Sequence, residues 1–340
     1  MSAAATLVVG PSWVGDMVMA QALFKHLKLH APERPVDVLA PAWSLPVVAR
    51  MPEIRAGIAA ETGHGELGIG RRRRIGHELR GFYDRAIVLP RSLKAALVPW
   101  FADIDTRTGF RGESRYWLIN DMRPFDRDVL DQTVKRFVAL GTDSNESLPE
   151  IPFPELRVSA ENQRAAMQKL DLAGDRPVVA FMPGAEYGPA KCWPLDHFAE
   201  LAGLLADDGY AVWIMGSEKD RPSGDEIAAA SNAINICGKT SLEDVIDLLG
   251  YAEQAVSNDS GLMHVAAAVG THVHGIYGSS SPRFTPPLTD SKTVQWLELD
   301  CSPCFERNCP LGHLRCLKEI EPLTVLEAVR SVRSARRAES

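Results

Sequence analysis

The sequence lacks several features that would place it quickly in a class of protein. No run of about 20 apolar residues occurs, which is the length that a membrane-spanning helix needs. The first residues, MSAAATLVVGPSW, contain no basic segment followed by a long apolar one, so no secretory signal peptide is predicted. We therefore expect the protein to be cytoplasmic.

Two nucleotide-binding fingerprints and a surplus of basic residues are also missing. The glycines from Gly10 to Gly15 have the wrong spacing for the GxGxxG pattern of dinucleotide enzymes, and no GxxxxGK[ST] phosphate loop occurs. Hydride transfer and P-loop phosphoryl transfer are therefore disfavoured. The formal net charge of −7 argues against general nucleic-acid binding, which needs a basic stripe. We predict no nucleic-acid partner.

What the sequence contains is a globular composition and an alternation of strand-like and helix-like runs. With 340 residues and 45% hydrophobic content, about two domains are expected. The alternation occurs twice and favours parallel sheets covered on both faces. A proline-rich segment at 148–154 separates the two stretches, so we predict domains at 1–155 and 156–322 and a closing helix at 323–340. Strands are predicted at 6–10, 36–39, 86–89, 177–182, 211–215, 254–256 and 273–277, and helices at 17–30, 93–101, 160–170, 196–207, 225–230, 242–249 and 324–337.

The most informative segment is Ser257–His264, a polar turn between a strand-like and a helix-like run. A helix that begins near Gly261 would direct its free N–H groups and positive dipole end at the turn, where glycine lets a phosphate approach. We predict a phosphorylated ligand, with Asp259 bonding a ribose or sugar hydroxyl and His264 facing the same ligand. The alternative is an ordinary turn in which Asp259 or Ser260 is the helix N-cap.

Two more loops are expected to contribute, because ligands of open α/β sheets bind beyond the carboxyl ends of the strands. Lys191, in PGAEYGPAK, offers a compact positive charge to a diphosphate whose negative charge grows as it leaves. The alternative for Lys191 is a surface lysine before a helix. Glu218 could accept hydrogen bonds from ribose hydroxyls, or it could cap the next segment.

Asp16 lies at the first junction between a strand and a helix. A carboxylate at this place can take a proton from an attacking hydroxyl group, and general base catalysis typically contributes about 10²- to 10⁴-fold in rate. As a helix N-cap, the same residue would contribute only about 1 kcal/mol of stability. The residues alone leave both roles open.

A local basic region stands out in this acidic chain, beginning with four consecutive arginines at 71–74. Its positive charge suits an acidic acceptor or an anionic membrane face, where each basic residue contributes about 1 kcal/mol. The alternative is a solvated helix face. The residues that we assign to acceptor binding are Arg71, Arg72, Arg91 and Lys94.

The cysteine-rich stretch 301–316 contains four of the six cysteines, together with His313. A CxxC followed by two more cysteines suits a structural zinc site or an oxidisable cluster, although the spacing is not that of a zinc ribbon. Disulfides are disfavoured in the cytoplasm. The four are Cys301, Cys304, Cys309 and Cys316, whereas Cys192 and Cys237 are predicted to be buried small hydrophobes.

Five segments, in the expected order and spread over nearly the whole chain, resemble the ADP-heptose:lipopolysaccharide heptosyltransferase II family. They are GPSWVGDMVMAQ, PAWSLPVVARMPE, PGAEYGPAKCWP, SNDSGLMHVAAA and YGSSSPRFTPPL. The family belongs to the inverting glycosyltransferases with the GT-B fold. The resemblance therefore implies an α/β protein with two Rossmann-like, doubly wound parallel-sheet domains that face each other across a cleft. The N-terminal domain would bind the acceptor and the C-terminal domain would bind ADP-heptose.

The resemblance also implies a reaction: transfer of L-glycero-D-manno-heptose from ADP-heptose to the first heptose of the lipopolysaccharide inner core. The acceptor would be heptosyl-Kdo-lipid A at the cytoplasmic face of the inner membrane, and no metal ion would be obligatory. Asp16 matches the general base and Lys191 matches the lysine that binds the donor phosphates. The remaining residues that it assigns to the donor are Glu218, Asp259, Ser260, Gly261, Leu262 and His264.

Three alternatives stay open. The chain could be a heptosyltransferase I or another sugar-nucleotide transferase of the same architecture, a non-catalytic module that binds a nucleotide sugar or a lipid, or a sugar-nucleotide epimerase of the same fold. The cysteine-rich stretch is present in only some members of the family, so the resemblance implies a structural or redox-sensitive role for it rather than a catalytic one.

Overall fold

The structure is a computed structural model that describes residues 5–60, 66–143 and 146–339, the last three of these by their backbone only. The chain folds into two compact units, of which the first ends at Arg157 and the second begins at Val158. The closing helix, which we predicted as a separate segment, lies within the range of the second unit. Within the described ranges, no helix is both long and apolar enough to cross a membrane.

In the described part of the first unit, six parallel strands form one sheet with helices packed on it. The strands are β1 (Thr6–Val9), β2 (Val36–Ala40), β3 (Ala56–Ala59), β4 (Arg85–Val88), β5 (Thr106–Phe110) and β6 (Asp121–Arg123). The helices are α1 (Val14–His30), α2 (Leu45–Val48), α3 (Ile69–Glu78), α4 (Leu97–Phe101) and α5 (Thr133–Ala139). The strand order is β3-β2-β1-β4-β5-β6.

The described part of the second unit repeats this plan with its own six-stranded parallel sheet. The strands are β7 (Val178–Met182), β8 (Ala211–Ile214), β9 (Ile234–Asn235), β10 (Gln254–Asn258), β11 (His272–Ile276) and β12 (Lys292–Gln295). The helices are α6 (Ala160–Lys169), α7 (Leu195–Asp207), α8 (Arg221–Ala229), α9 (Leu242–Tyr251), α10 (Gly261–Ala268), α11 (Arg315–Lys318) and α12 (Pro322–Glu339). The strand order is β12-β11-β10-β7-β8-β9.

The central strands are short apolar runs that are buried along their whole length, as β1 and β7 show. Helices cover the faces of each sheet, so these central strands do not need the alternation of polar and apolar residues that a solvated face would require. In the second unit, Phe198, Leu201 and Leu205 of α7 pack against the sheet in one apolar cluster. The predicted α/β class with two doubly wound parallel sheets is confirmed.

Two predicted elements differ from the structure in informative ways. The helix predicted over 93–101 is a 3₁₀ turn at Leu93–Ala96 followed by α4. Pro99 has no N–H group to donate to the carbonyl four residues earlier, which interrupts a continuous α-helix at this point. Strand β10 runs on to Asn258, two residues beyond its predicted end, because the polar side chains of its last two residues find internal hydrogen bonds.

The order of the strands reverses direction once in each sheet. The predicted site residues follow the strands at these two reversal points. In the first unit the reversal lies between β1 and β4, and in the second unit it lies between β7 and β10. At such a point the loops that leave the two neighbouring strands diverge and open a crevice at the carboxyl edge of the sheet. Helix α1 with Asp16 follows β1, and the loop with Arg91 follows β4. The loops with Lys191 and Asp259 follow β7 and β10.

Candidate active site

An ion pair between Lys191 and Asp259 lies at the second reversal point. Lys191 Nζ lies 2.5 Å from Asp259 Oδ2, and their side chains are 18% and 4% exposed. Thr285 Oγ1 lies 3.5 Å from the other carboxylate oxygen of Asp259. The N-cap position of α10 belongs to Ser260, whose side chain makes no capping bond. Ser260 is therefore the N-cap residue, as the alternative allowed, and Asp259 is not. Because the Ser260 side chain makes no capping bond, it does not cover the first N–H groups of α10.

Asn258 holds the Lys191 loop in place. Its side-chain Oδ1 accepts a hydrogen bond from the N–H of Trp193 (2.9 Å), and its Nδ2 donates to the carbonyl of Pro183 (2.5 Å). Both ends of the loop are thus bound to one fully buried amide. We assigned no role to Asn258 from the sequence, although an amide at the end of an otherwise apolar strand was a usable signal.

His264 lies one turn into α10 and is 5% exposed. Burial lowers the pKa of its imidazole to about 4, an effect that nearby Asp259 opposes and Lys191 reinforces. The ring is therefore neutral near pH 7. Its Nδ1 atom is buried and has no hydrogen-bond partner among the residues that the structure describes. Gly261 and Leu262, which precede it in the first turn, are half-buried.

Glu218 lies at the same edge of the sheet, beyond the end of β8, which pairs with β7. Its carboxylate pairs with Arg221 at 2.6 Å and is largely exposed. The capping role that we considered for Glu218 belongs to Asp220, whose carboxylate accepts the N–H and hydroxyl bonds of Ser217. Glu218 is therefore not the cap.

Glycines bring this loop against the Lys191 loop. A Cβ atom on Gly184 would collide with the Asp220 carboxylate, so a larger residue would force that carboxylate to move. Lys219 and Glu186 add an ion pair of 2.5 Å between the two loops, with both side chains exposed. The structure thus brings Glu218, Lys191 and Asp259 to one edge of one sheet, as the strand order requires.

In the first unit, Asp16 is the third residue of α1 and is half-buried. The N-cap position belongs to Trp13. The N-cap role that we considered for Asp16 is therefore wrong, since the residue lies inside the first turn, near the positive end of the helix dipole. The loop before the helix is held by Trp43, whose indole N–H donates to the carbonyl of Ser12 (2.9 Å).

Arg91 and Lys94 follow β4, the strand beside β1, and reach the same edge of the sheet as Asp16. The guanidinium of Arg91 lies 5.0 Å from the centre of the Phe125 ring, and Lys94 is half-buried. The fully buried side chain of Arg115 fixes their loop. Its guanidinium group donates hydrogen bonds to the carbonyls of Pro90, Ser92 and Phe110. Burial lowers the pKa of Arg115 to about 10. We did not find this positioning role in the sequence.

Arg71 and Arg72 both lie at the start of α3, but their side chains differ in exposure. Arg71 is exposed and pairs with Glu66 at 3.1 Å. Arg72 is only 8% exposed, and its Nε donates to the carbonyl of Leu67 (2.8 Å). Burial lowers the pKa of Arg72. The exposed basic surface of α3 therefore contains Arg71, whereas Arg72 holds the start of its own helix.

The cysteine-rich stretch surrounds a small cavity of about 20 Å³. Cys301, Cys304, Cys309 and Cys316 line it together with other residues, among them His313. All six cysteines are free, and across the described ranges no three histidine, cysteine, aspartate or glutamate side chains are arranged to hold a metal ion. The arrangement of the described side chains therefore does not support the predicted zinc site. Cys237 is fully buried as predicted, whereas Cys192 is only half-buried.

The same stretch supports the Lys191 loop directly. The N–H of Ala190 donates to the carbonyl of Arg307 (3.1 Å), and the hydroxyl of Tyr187 donates to the carbonyl of Phe305 (2.6 Å). The Tyr187 ring in turn lies 5.3 Å from Lys191 Nζ, within the range of a cation–π interaction. We assigned a role to neither Tyr187 nor Arg307 from the sequence.

Comparison with known proteins gives one consistent result. The chain matches the model of glycosyltransferase family 9 (heptosyltransferase) over residues 72–315. It is 45% identical to lipopolysaccharide heptosyltransferase 2 of Salmonella typhimurium, over 96% of this chain and 98% of the relative. It is 44% identical to lipopolysaccharide heptosyltransferase 2 of Escherichia coli, over 96% and 97%. The solved structure of E. coli ADP-heptose lipopolysaccharide heptosyltransferase II has a TM-score of 0.88 at 42% identity and covers 98% of this chain and 99% of its own.

Proposed function

The chain belongs to glycosyltransferase family 9, the heptosyltransferases, and from this premise we propose that it transfers L-glycero-D-manno-heptose from ADP-heptose to the first heptose of the lipopolysaccharide inner core. The relatives that match it over nearly their whole length carry the name heptosyltransferase 2. The observation that carries the proposal is the ion pair between half-buried Lys191 and buried Asp259 beside the start of α10, where a diphosphate would find a cation and free N–H groups.

The second unit would bind the donor through its diphosphate. Lys191 has three N–H donors and uses one on Asp259, which holds the ammonium group in position. The first N–H groups of α10, from Ser260, Gly261 and Leu262, supply further donors at the positive end of the helix dipole. These groups stabilise the negative charge that grows on ADP as the bond to the sugar breaks. Neutral His264 would donate or accept a single hydrogen bond, and Glu218 would accept bonds from ribose hydroxyls.

The first unit would supply the base. Asp16 would take the proton from the acceptor hydroxyl as that oxygen attacks the anomeric carbon from the side opposite ADP. One displacement of this kind inverts the configuration of that carbon. The proposal requires Asp16 to come within hydrogen-bond reach of the acceptor hydroxyl during the reaction.

The basic residues of the first unit would bind the acceptor, whose phosphate and Kdo carboxylate groups are negative. Arg71, Arg91 and Lys94 would make these contacts, while Arg72, with its N–H groups on loop carbonyls, would support Arg71. Exposed apolar side chains accompany the charges, since Ile69 is 51% and Trp100 45% exposed. The pair of helices α3 and α4 would therefore touch the anionic cytoplasmic face of the inner membrane peripherally.

A structural zinc ion at the four cysteines is the part of our sequence interpretation with the least structural support. Elemental analysis of the purified full-length protein tests it. A stoichiometry near one zinc per chain would support the zinc site, and a metal content near zero would leave the stretch as packing for the Lys191 loop.

An acceptor assay tests the proposed function. The purified protein is incubated with ADP-heptose and with acceptors that carry zero, one or two heptoses, and the products are weighed by mass spectrometry. We expect one heptose to be added to the one-heptose acceptor alone. Transfer to the acceptor without heptose would identify a heptosyltransferase I. A changed sugar nucleotide without any acceptor would identify an epimerase, and binding without turnover would identify a binding module.

A further inference from the structure

The turn that follows β11 borders the donor loops but has no part in the function proposed so far. It consists of Tyr277-Gly278-Ser279-Ser280-Ser281 and belongs to a segment that the sequence singled out only by resemblance. Because β11 pairs with β10, this turn lies beside the turn that carries Asp259, and the N–H of Asp259 donates to the carbonyl of Ile276 (3.2 Å). The N–H of Ser279 donates to the carbonyl of Ala190 (3.2 Å). The serine turn therefore adjoins both halves of the Lys191–Asp259 pair.

The three serines of this turn are all buried, but their hydroxyl groups have different surroundings. Ser281 Oγ accepts a hydrogen bond from the N–H of Arg283 (3.2 Å), so it holds the turn itself. Ser279 Oγ is also buried without a hydrogen-bond partner among the residues described, but Ser279 lines the cavity of the four cysteines. Ser280 is 4% exposed, and its Oγ has no hydrogen-bond partner among the residues described. Its hydroxyl is thus not needed to hold the fold.

A buried hydroxyl without a partner is unfavourable, because it has lost its bonds to water and gained none in return. Such a group calls for an explanation in a folded protein, and a bound ligand is one. Besides the hydroxyls of Ser279 and Ser280, His264 Nδ1 is a third buried polar atom without a partner at the same edge of the sheet. Both belong to elements that adjoin Lys191 and the uncapped start of α10, where a phosphate oxygen would be an acceptor for a serine hydroxyl.

We infer that the Ser279–Ser281 turn is a third wall of the donor site and that Ser280 donates its hydroxyl to the diphosphate of the donor. This inference rests on the proposed function, since it names a further binding residue for the same nucleotide sugar. Ser280 then completes a set of three kinds of donor on one diphosphate: an ammonium group, helix N–H groups and a hydroxyl.

The test compares Ser280→Ala with Ser281→Ala in the full-length protein. ADP and adenosine are the probes, and calorimetry measures both affinities. We expect Ser280→Ala to weaken ADP binding about 10-fold or more, which is typical of a lost hydrogen bond to a charged group. Adenosine, which has no phosphate, should bind both the wild type and Ser280→Ala equally.

Thermal unfolding of the same unliganded proteins separates a ligand contact from a structural role. Ser280→Ala should unfold at the wild-type temperature or above it, because the removed hydroxyl has no partner inside the protein. Ser281→Ala should unfold at a lower temperature, because it loses a bond within the turn.

Two kinds of outcome would overturn the inference. If the wild type binds ADP and Ser280→Ala binds it equally well, or if Ser280→Ala is destabilised as much as Ser281→Ala, the inference is wrong while the proposed function stands. If the wild type itself does not bind ADP, both the proposed function and the inference are wrong.

Discussion

The two reversal points of the two sheets follow the same topology but are built differently. In the second unit, half-buried Lys191 is bound to the buried carboxylate of Asp259, and an amide fixes the loop that carries the lysine. In the first unit, Asp16 and Lys94 are half-buried and Arg91 is exposed, and the loops are held from beneath by other residues. The second site is therefore preorganised for a small anionic ligand, whereas the first presents separate groups to a larger one. Substitutions should cost ligand affinity and stability in the second unit and should mainly cost rate in the first.

The largest effect is expected for Asp16→Asn, which removes the proposed base without changing the size of the side chain. Transfer should slow by about 10²- to 10⁴-fold, while the affinity for ADP stays at the wild-type value because the donor site is in the other unit. Steady-state rates and calorimetry measure the two quantities. Glu33→Gln, an exposed carboxylate of the same unit, is the matched control. A loss of less than about threefold would remove Asp16 from the mechanism.

Lys191→Ala should affect both affinity and stability. ADP binding should weaken by about 10- to 100-fold, since a charged hydrogen bond is lost. The free energy of unfolding should fall by about 3–5 kcal/mol, because Asp259 is left buried without its partner. Lys219→Ala is the control, because its ion pair with Glu186 is exposed and such pairs contribute little to stability. If both substitutions changed ADP affinity and the free energy of unfolding equally, the two ion pairs would not differ in the way that we expect.

The buried histidine makes the stability of the second unit depend on pH. The folded pKa of His264, about 4, lies below the ordinary value of 6.5, so the unfolded chain takes up a proton first as the pH falls. The stability that the neutral ring contributes is fully present above pH 6.5 and is lost as the pH falls through the folded pKa, and the loss amounts to about 3 kcal/mol. Denaturant unfolding of the unliganded protein at several pH values measures this slope.

His264→Gln should flatten that slope, whereas His77→Gln, at an exposed position of α3, should not. An unchanged slope in His264→Gln would assign the pH dependence to other groups. His274 is the nearest rival in the second unit, since burial lowers its pKa to about 3.

The smallest effect is expected for the basic residues of the first unit. Replacing Arg91 and Lys94 together by alanine should raise the KM for the acceptor by several-fold, because partly exposed charges are screened by water and contribute about 1 kcal/mol or less each. The affinity for ADP should not change, and the effect should shrink as salt is added. Arg50→Ala, also in the first unit, is the control. A change in ADP affinity would show that the two sites are not separate.

Much of this arrangement is predictable from the sequence because it depends on regular patterns. Buried apolar runs gave the central strands, and their carboxyl ends predicted where Lys191 and Asp259 would lie. The four edge strands β3, β6, β9 and β12 escaped prediction, and so did β5 beside one of them. β3 is a short, partly exposed run of small residues, β9 has only two residues, and β5, β6 and β12 contain polar residues that break an apolar run. An edge strand depends on pairing with a distant neighbour that no local pattern reveals.

The residues missed at the sites have one property in common: they act through partners that are distant in the sequence. Asn258 binds Pro183 from 75 positions away, and Arg115 binds the carbonyl of Pro90 from 25 positions away. Burial of Arg72 could not be read from a run of four arginines either, because its acceptors are backbone carbonyls of its own loop. Neither composition nor spacing encodes which carbonyl a guanidinium will meet.

The amide of Asn258 has a consequence for the chemical ageing of the protein. Deamidation would replace its NH₂ group, which donates a hydrogen bond to the carbonyl of Pro183, by an oxygen. The resulting aspartate would have only an acceptor at this position. Two oxygens would then oppose each other in a buried space, and a second negative charge would stand next to Asp259. The substitution of a single heavy atom would therefore detach the lysine loop at one end, with the rest of the sheet intact.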